Sequence, residues 1–187
     1  MSELLEMGME IAKESMDSAM ERLASELTKI RTGKASPNML SGLKVEYYGM
    51  PTLLNQVANV TASDGKTLSI HPFEKSMIAA IEQCIFAANL GLTPQNNGES
   101  IMINIPALTE ERRRELAKQA KAVGEEAKIS VRNARQKIMD TIKKEVKDGY
   151  PEDAGKDQES NVQKMVNAYN EKVKQLVEAK EKDIMTV

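Results

Sequence analysis

Aromatic side chains are scarce in this chain. There is no tryptophan, and only two phenylalanines and four tyrosines occur among 187 residues. A core must therefore come from aliphatic side chains and from twelve methionines, whose flexible thioethers give soft, adaptable packing. One cysteine excludes an internal disulfide framework and accords with a reducing cytoplasm. One cysteine with one histidine excludes a Cys/His zinc site. Neither of the glycine-rich patterns that cradle nucleotide phosphates occurs. No apolar run approaches the roughly 20 residues needed to span a bilayer. The opening Met-Ser-Glu-Leu-Leu-Glu is acidic, unlike a secretory leader or an Arg-rich transit peptide. The expectation is a complete cytoplasmic protein without a metal, nucleotide or other cofactor, and without a membrane or DNA partner.

What is present is helical periodicity on a large scale. At 187 residues and 41% hydrophobic content, the chain suits one large or two small domains. Its central stretch runs from Leu108 to Gly149 without a proline. Thr109 has the chemistry of an N-cap, Glu110 and Glu111 suit the electropositive first turn, and Gly149-Tyr150-Pro151 is a stop signal. Such a helix would be about 60 Å long at roughly 1.5 Å per residue. Leu116, Ala120, Val123, Ala127, Val131, Ala134, Ile138 and Ile142 fall on one stripe.

A second stripe flanks it: Arg114, Lys118, Lys121, Lys128, Arg132, Arg135 and Lys143, interrupted only by Glu125. The stretch holds 12 Lys and Arg against 8 Asp and Glu, a net of +4, whereas the rest of the chain holds 14 against 20, a net of −6. A charge row is ordinarily a solvated face. Here the acidic residues mostly avoid the row, so i,i+4 ion pairs do not account for it. Its cations are spaced to meet successive backbone phosphates of an RNA. The basic row is therefore read as a phosphate-binding face.

Two more long helices are predicted. Residues 3 to 31 place Met9, Ala12, Met16, Ala19, Leu23, Leu27 and Ile30 on one face, and Thr32-Gly33 followed by Ser36-Pro37 ends the run. After a loop spanning Gly149–Gly155, a third helix runs from about Gln158 to Met185 with a seam of Val162, Val166, Tyr169, Val173 and Leu176. Single apolar seams are not stable alone, so the three helices should form a bundle.

Residues 37–105 have a different texture. Strand-like runs occur at Lys44–Tyr48, Val57–Ala62, Thr67–Ile70 and Ile101–Ile105, and Ser76–Asn89 reads as one amphipathic helix with Ile78, Ile81, Ile85 and Ala88 inward. The fold class is thus α+β: an elongated three-helix bundle, 1–31 and 107–187, with a small β/α/β domain, 32–106, inserted after the first helix. Two segments, Thr32–Pro37 and Ile105–Ala107, join the parts, which predicts an elbowed, L-shaped molecule with a two-segment hinge.

His71, before Pro72 at a strand end, reads as a turn or packing residue, and Cys84 as a small buried thiol on the face of Ile81 and Ile85. No nucleophile–base pair is evident, and the chain reads as a non-enzyme. A helical adaptor that binds a partner protein through its seams, and an enzyme centred on His71 or Cys84, stand as alternatives.

Several segments in order carry a resemblance. Lys29-Ile30-Arg31-Thr32-Gly33-Lys34-Ala35-Ser36-Pro37, Val45-Glu46-Tyr47-Tyr48-Gly49, Leu108-Thr109-Glu110-Glu111-Arg112-Arg113, Val131-Arg132-Asn133-Ala134-Arg135 and the closing Lys180–Met185 all resemble the ribosome recycling factor family. The resemblance spans the chain with matching spacing. It implies a three-helix bundle with a hinged β/α/β domain. It also implies binding to the post-termination ribosome, the bundle on large-subunit rRNA and the small domain toward the small subunit. Splitting into subunits would be driven by GTP hydrolysis on elongation factor G.

By that resemblance Arg132 and Arg135 match arginines that contact rRNA, and both lie on the basic row. Lys128 and Lys34 stand where the family often has Arg, and Gln136 replaces a usual Arg, which removes a cation. The expected rRNA-contacting residues are Arg132, Arg135, Lys128, Lys121 and Arg31. Gly33, Pro37 and Pro106 are assigned to the hinge on position alone. Arg112, Arg113 and Arg114 stand equally as RNA contacts or as helix-start charges. A monomer is expected.

Overall fold

The computed structural model describes residues 2–186. The chain divides into two compact units: residues up to Ile30 together with those from Arg113 onward, and Arg31–Arg112 between them.

The first unit is built from α1 (Glu3–Lys29) and two longer helices, α4 (Glu110–Lys147), whose first turn belongs to the other unit, and α5 (Glu152–Met185). Ser2 caps α1, its Oγ accepting from the Leu5 amide at 3.2 Å, with Glu3 and Glu6 in the first turn. Thr109 caps α4, its Oγ1 accepting from the Arg112 amide at 3.1 Å. The helices bury their seams in one core. Leu5, Met16, Val131, Ile138, Ile142, Val162 and Val166 lie at its centre, and Met9, Met20 and Met165 fill its margins. The Tyr169 hydroxyl donates to Asp17 Oδ1, tying α5 to α1.

The structure differs from the sequence pattern at the turn into α5. The helix starts at Glu152, inside what the glycines mark as a loop. Pro151 is its N-cap, Glu152 and Asp153 occupy its first turn, and Gly155 is buried within it. Gly155 serves close approach there, since a Cβ on it would stand 2.6 Å from Val146 Cγ2. Gly124, midway along α4, plays the same part against α5: its Cβ would meet Val177 Cγ2 at 2.6 Å.

The second unit carries two sheets. A hairpin pairs β1 (Lys44–Tyr47) with β2 (Met50–Leu53) through Tyr48 and Gly49, both at positive φ. The sequence pattern shows one strand-like run here, Lys44–Tyr48, and none at Met50–Leu53, whereas Met50 and Pro51 open a second strand. β2 pairs only with β1, so Pro51 sits in an edge strand where its missing N–H costs no ladder bond. A one-turn helix α2 (Leu54–Val57) leads into β3 (Ala58–Ala62) and β4 (Thr67–Pro72). After a 3₁₀ turn at Lys75–Met77 comes α3 (Ile78–Ala87), then β5 (Pro94–Asn96) and β6 (Ile101–Asn104). The four-stranded sheet has the order β3-β4-β6-β5 and is antiparallel throughout. Leu68, Ile70, Ile101 and Ile103 meet Ile81 and Ile85 of α3 in its core, with Val45 of the hairpin. The molecule is α+β, as the patterning predicts.

Candidate nucleic-acid interface

The basic row of α4 becomes a surface because the stripe it flanks is committed to the core. Ala127, Val131 and Ala134 are buried, whereas Arg132 is exposed and Lys128 and Arg135 are half-buried. At about 100° and 1.5 Å per residue, Lys128, Arg132 and Arg135 fall within an arc of about 60° and a length of about 10 Å. With Gln163, Val166 and Asn170 of α5 they line one open cavity of about 350 Å³.

The three cations are held differently. Arg132 has no hydrogen-bond or ion-pair partner among the described residues, so its whole guanidinium is available to a ligand. Lys128 is 3.5 Å from Glu125 Oε1, a solvent-exposed i,i+3 pair of the kind that contributes little and is readily exchanged. Arg135 donates from Nε to Gln163 Oε1 at 2.9 Å, and Gln163 in turn donates from Nε2 to Asn167 Oδ1 at 2.8 Å. That chain fixes the plane of the guanidinium while leaving its two terminal nitrogens for a phosphate.

Lys121 lies two turns before Lys128 on the same helix and is 3.9 Å from Glu181 of α5. Gln136 also lines the cavity, but its amide is engaged by Asp140 at 2.9 Å. Within the arginine run at the start of α4, Arg113 braces the bundle. Its Nη1 donates to the Ile184 and Thr186 carbonyls at 3.2 and 3.0 Å, closing the C-terminal turn of α5.

Arg31 is not brought into this group. It belongs to the other unit, where Nη1 approaches the Leu90 carbonyl at 3.5 Å and Nη2 is buried without a partner. Gly33 has φ +76°, and a Cβ there would stand 3.2 Å from Leu108 Cγ, so the two joining segments run side by side at that point. Pro37 opens a 3₁₀ turn, Pro37–Leu40, whose cap is Ser36. Pro106 follows Ile105, whose amide donates to the Lys66 carbonyl at 2.7 Å.

The alternatives centred on His71 and Cys84 find little support in their surroundings. His71 Nε2 lies 3.2 Å from Ser69 Oγ, and among the described residues no carboxylate pairs with it. Cys84 Sγ donates to the Lys44 carbonyl at 3.0 Å, and burial pushes its thiol above the usual range, away from the reactive thiolate. No cluster of three or more His, Cys, Asp or Glu able to hold a metal occurs among the described residues. No helix among them is long and apolar enough to cross a membrane.

The family model for ribosome recycling factor matches residues 23–185. The chain belongs to the ribosome recycling factor family. A ribosome-recycling factor of Christiangramia forsetii is 52% identical over 179 residues, 96% of each chain. One from Flavobacterium johnsoniae is 47% identical over the full length of both. Among solved structures, a solution structure of the ribosome recycling factor superposes with a TM-score of 0.83 at 34% identity, covering 100% of both chains. Another, at TM-score 0.67 and 39% identity, is of the T. thermophilus ribosome recycling factor and E. coli elongation factor G bound to the E. coli post-termination complex, and covers 97% of this chain and 99% of that one. Ribosome recycling factors are translation factors of protein biosynthesis and not enzymes.

Sequence reasoning finds the cations of this face but misses its α5 side. Gln163, Asn167 and Asn170 step by four and three beside the Val162–Val166–Tyr169 seam. An amide row at seam spacing is the signal that could have marked them.

Proposed function

We propose that this chain dissociates post-termination ribosomes into subunits, acting with elongation factor G and the GTP that this partner hydrolyses. It works in the cytoplasm, as a monomer and as a mechanical device. The observation that carries the reading is the end-to-end relation to ribosome-recycling factors, at 47% identity over every residue of both chains. The proposed anchor is the α4 face, with Arg132 and Arg135 on large-subunit rRNA and Lys128 and Lys121 beside them. Exchangeable or absent protein partners at Lys128 and Arg132 support that assignment. Arg31 would reach rRNA only by giving up its approach to Leu90, which makes it the weakest member of the set.

The anchored unit must transmit force through the two segments that join it to the other. Gly33, Pro37 and Pro106 are proposed as the points that let the small unit change orientation, so that elongation factor G selects between orientations with different ribosome contacts.

The direct test is splitting of post-termination ribosomes, followed by light scattering, with elongation factor G and GTP present. Wild type should split them. Arg132→Ala/Arg135→Ala, shown by circular dichroism to be folded, should not. A folded wild type that fails to split ribosomes with a compatible elongation factor G would return the chain to the helical-adaptor reading.

A further inference from the structure

The outer strands of a sheet must be paired, covered or blunted, and in the small unit β3 alone is left open. The Phe73 amide donates to the Val57 carbonyl and the Ser63 amide to the Thr67 carbonyl, both at 3.0 Å, which fixes the phase of the β3–β4 ladder. Asn59 and Thr61 therefore direct their backbone groups to β4, and Ala58, Val60 and Ala62 direct theirs outward. By the same alternation the outward positions of β2 and β5 include Pro51 and Pro94, which offer no N–H. The free side of β1 lies against α3, whose Cys84 Sγ donates to the Lys44 carbonyl. β3 has no such protection: Ala58-Asn59-Val60-Thr61-Ala62 carries neither proline nor charge. The Ala58 amide is taken by the Leu54 carbonyl, but the N–H and C=O of Val60 and of Ala62 have no partner among the described residues.

Beside that edge, α2 and the 3₁₀ turn at Pro37–Leu40 leave an open cavity of about 210 Å³. Half-buried Val60 lines it, with exposed Pro37, Asn38, Ser41, Asn55 and Asn59 around it. From this arrangement we infer that β3 is a docking edge for an extended, uncharged segment of another protein, which joins the sheet as a strand and sets one aliphatic side chain in the cavity. The backbone decides the class of partner. Free N–H and C=O groups recurring at every second residue are matched by another strand, and neither a helix nor a nucleic acid presents donors and acceptors at that spacing. The cavity decides the side chain. Its surroundings offer a hydroxyl and carboxamides but no ion, so a charged residue entering it would lose hydration without gaining an opposite charge. A second copy of this chain fits less well. Antiparallel pairing about Val60 sets Ala62 of one copy opposite Ala58 of the other, so each cavity receives only a methyl group. The inference is independent of the α4 face and gives the small unit a protein contact of its own.

The test uses the full chain and the end-blocked peptide Thr-Val-Thr-Leu-Thr-Val-Thr, whose leucine and valines share one face of a strand. Two controls accompany it: the same peptide N-methylated at its leucine and valine amides, and one with its leucine replaced by alanine. Two-dimensional NMR follows the backbone amides during titration. The parent peptide should shift the Val60 and Ala62 amides and slow their exchange with solvent. The N-methylated peptide keeps every side chain but cannot donate to the edge, and it should not bind. The alanine peptide should bind about tenfold more weakly, the loss expected when an aliphatic side chain no longer fills an apolar site. Val60→Pro removes an outward N–H and no ladder bond, and should abolish binding. The comparison of peptides on wild type stands by itself if that variant fails to fold. No shift at Val60 and Ala62, or equal binding of the N-methylated peptide, would overturn the docking edge. Dimerisation of the chain alone, with the Val60 and Ala62 amides protected in step with it, would overturn it in favour of self-pairing.

Discussion

Replacing Gly124 by alanine should destabilise the bundle although alanine is the better helix former. In an exposed helix interior the change would gain about 1 kcal/mol. At Gly124 the added Cβ would lie 2.6 Å from Val177 Cγ2, 3.7 Å from Val177 Cβ and 3.8 Å from Val173 Cγ1. The last two are ordinary contacts, whereas the first is about 1 Å inside the best carbon–carbon separation. Val177 is β-branched and has one strongly preferred χ1 in a helix, so its methyl cannot rotate away without strain. Relief requires an unfavourable rotamer or a local separation of α4 from α5, and overpacking of this kind costs about 1–3 kcal/mol. The net expectation is a loss of about 1 kcal/mol, or about 2–4 °C in melting temperature for a chain of this length. Gly8→Ala is the control. Its Cβ would meet only the flexible end of Ile138, Cδ1 at 2.9 Å, and Thr141 Cγ2 at 3.6 Å, so that variant should be neutral or stabilised. Thermal unfolding by circular dichroism reads both. Val177→Ala in the Gly124→Ala background should restore part of the loss, a coupling that independent sites would not show. A Gly124→Ala protein as stable as Gly8→Ala, with no coupling to Val177, would refute the close-approach reasoning.

Gln163→Leu removes the acceptor that holds the Arg135 guanidinium but no cation. Affinity for large ribosomal subunits should fall about threefold to tenfold with the slope against salt unchanged; an altered slope would mean that Gln163 does more than orient Arg135. Burial, then the bond to Asp17, push the Tyr169 phenol up to about 12, above its ordinary value of 10. The raised pKa means that the tie stabilises fully below pH 10 and is lost as pH rises toward 12. Alkaline unfolding should therefore be shallower for Tyr169→Phe than for wild type. Gly33→Cys/Leu108→Cys joins the two segments that link the units, because a Cβ at position 33 would lie 3.8 Å from Leu108 Cβ, within disulfide range. Oxidation should impair ribosome splitting and spare ribosome binding, with reduction restoring splitting. Unimpaired splitting in the oxidised form would remove the swing from the mechanism.

The long helices were legible because each carries its own instructions. Ser2 and Thr109 are side-chain caps, the seams of α1, α4 and α5 recur at three and four residues, and glycine with proline follows the ends of α1 and α4. Tertiary demands were less legible. Gly124 and Gly155 look like helix breakers, and only the neighbouring helix shows that they are points of closest approach. The strands β2 and β5 contain Pro51 and Pro94, and proline argues against a strand unless its N–H side is known to face no partner. At the candidate site the cations were visible as a row on one helix. Gln163 and Asn170 come from another helix, and their relation to Arg135 exists only once α5 is laid along α4. Val123 and Leu176 belong to the seams by spacing but lie at their margins, Leu176 being 39% exposed. Arg31 matches its motif by position, yet its environment is the Leu90 carbonyl in the turn after α3.

The central claim is that the α4 face holds the chain on ribosomal RNA. Equilibrium binding to isolated large ribosomal subunits should be measured across a series of potassium chloride concentrations, for wild type and for Arg132→Ala/Arg135→Ala. If the two arginines neutralise phosphates, the log–log slope should become shallower by about 1.4–1.8, which is 0.7–0.9 for each cation removed. Affinity should fall with it. An unchanged slope and affinity in a folded double variant would contradict the account.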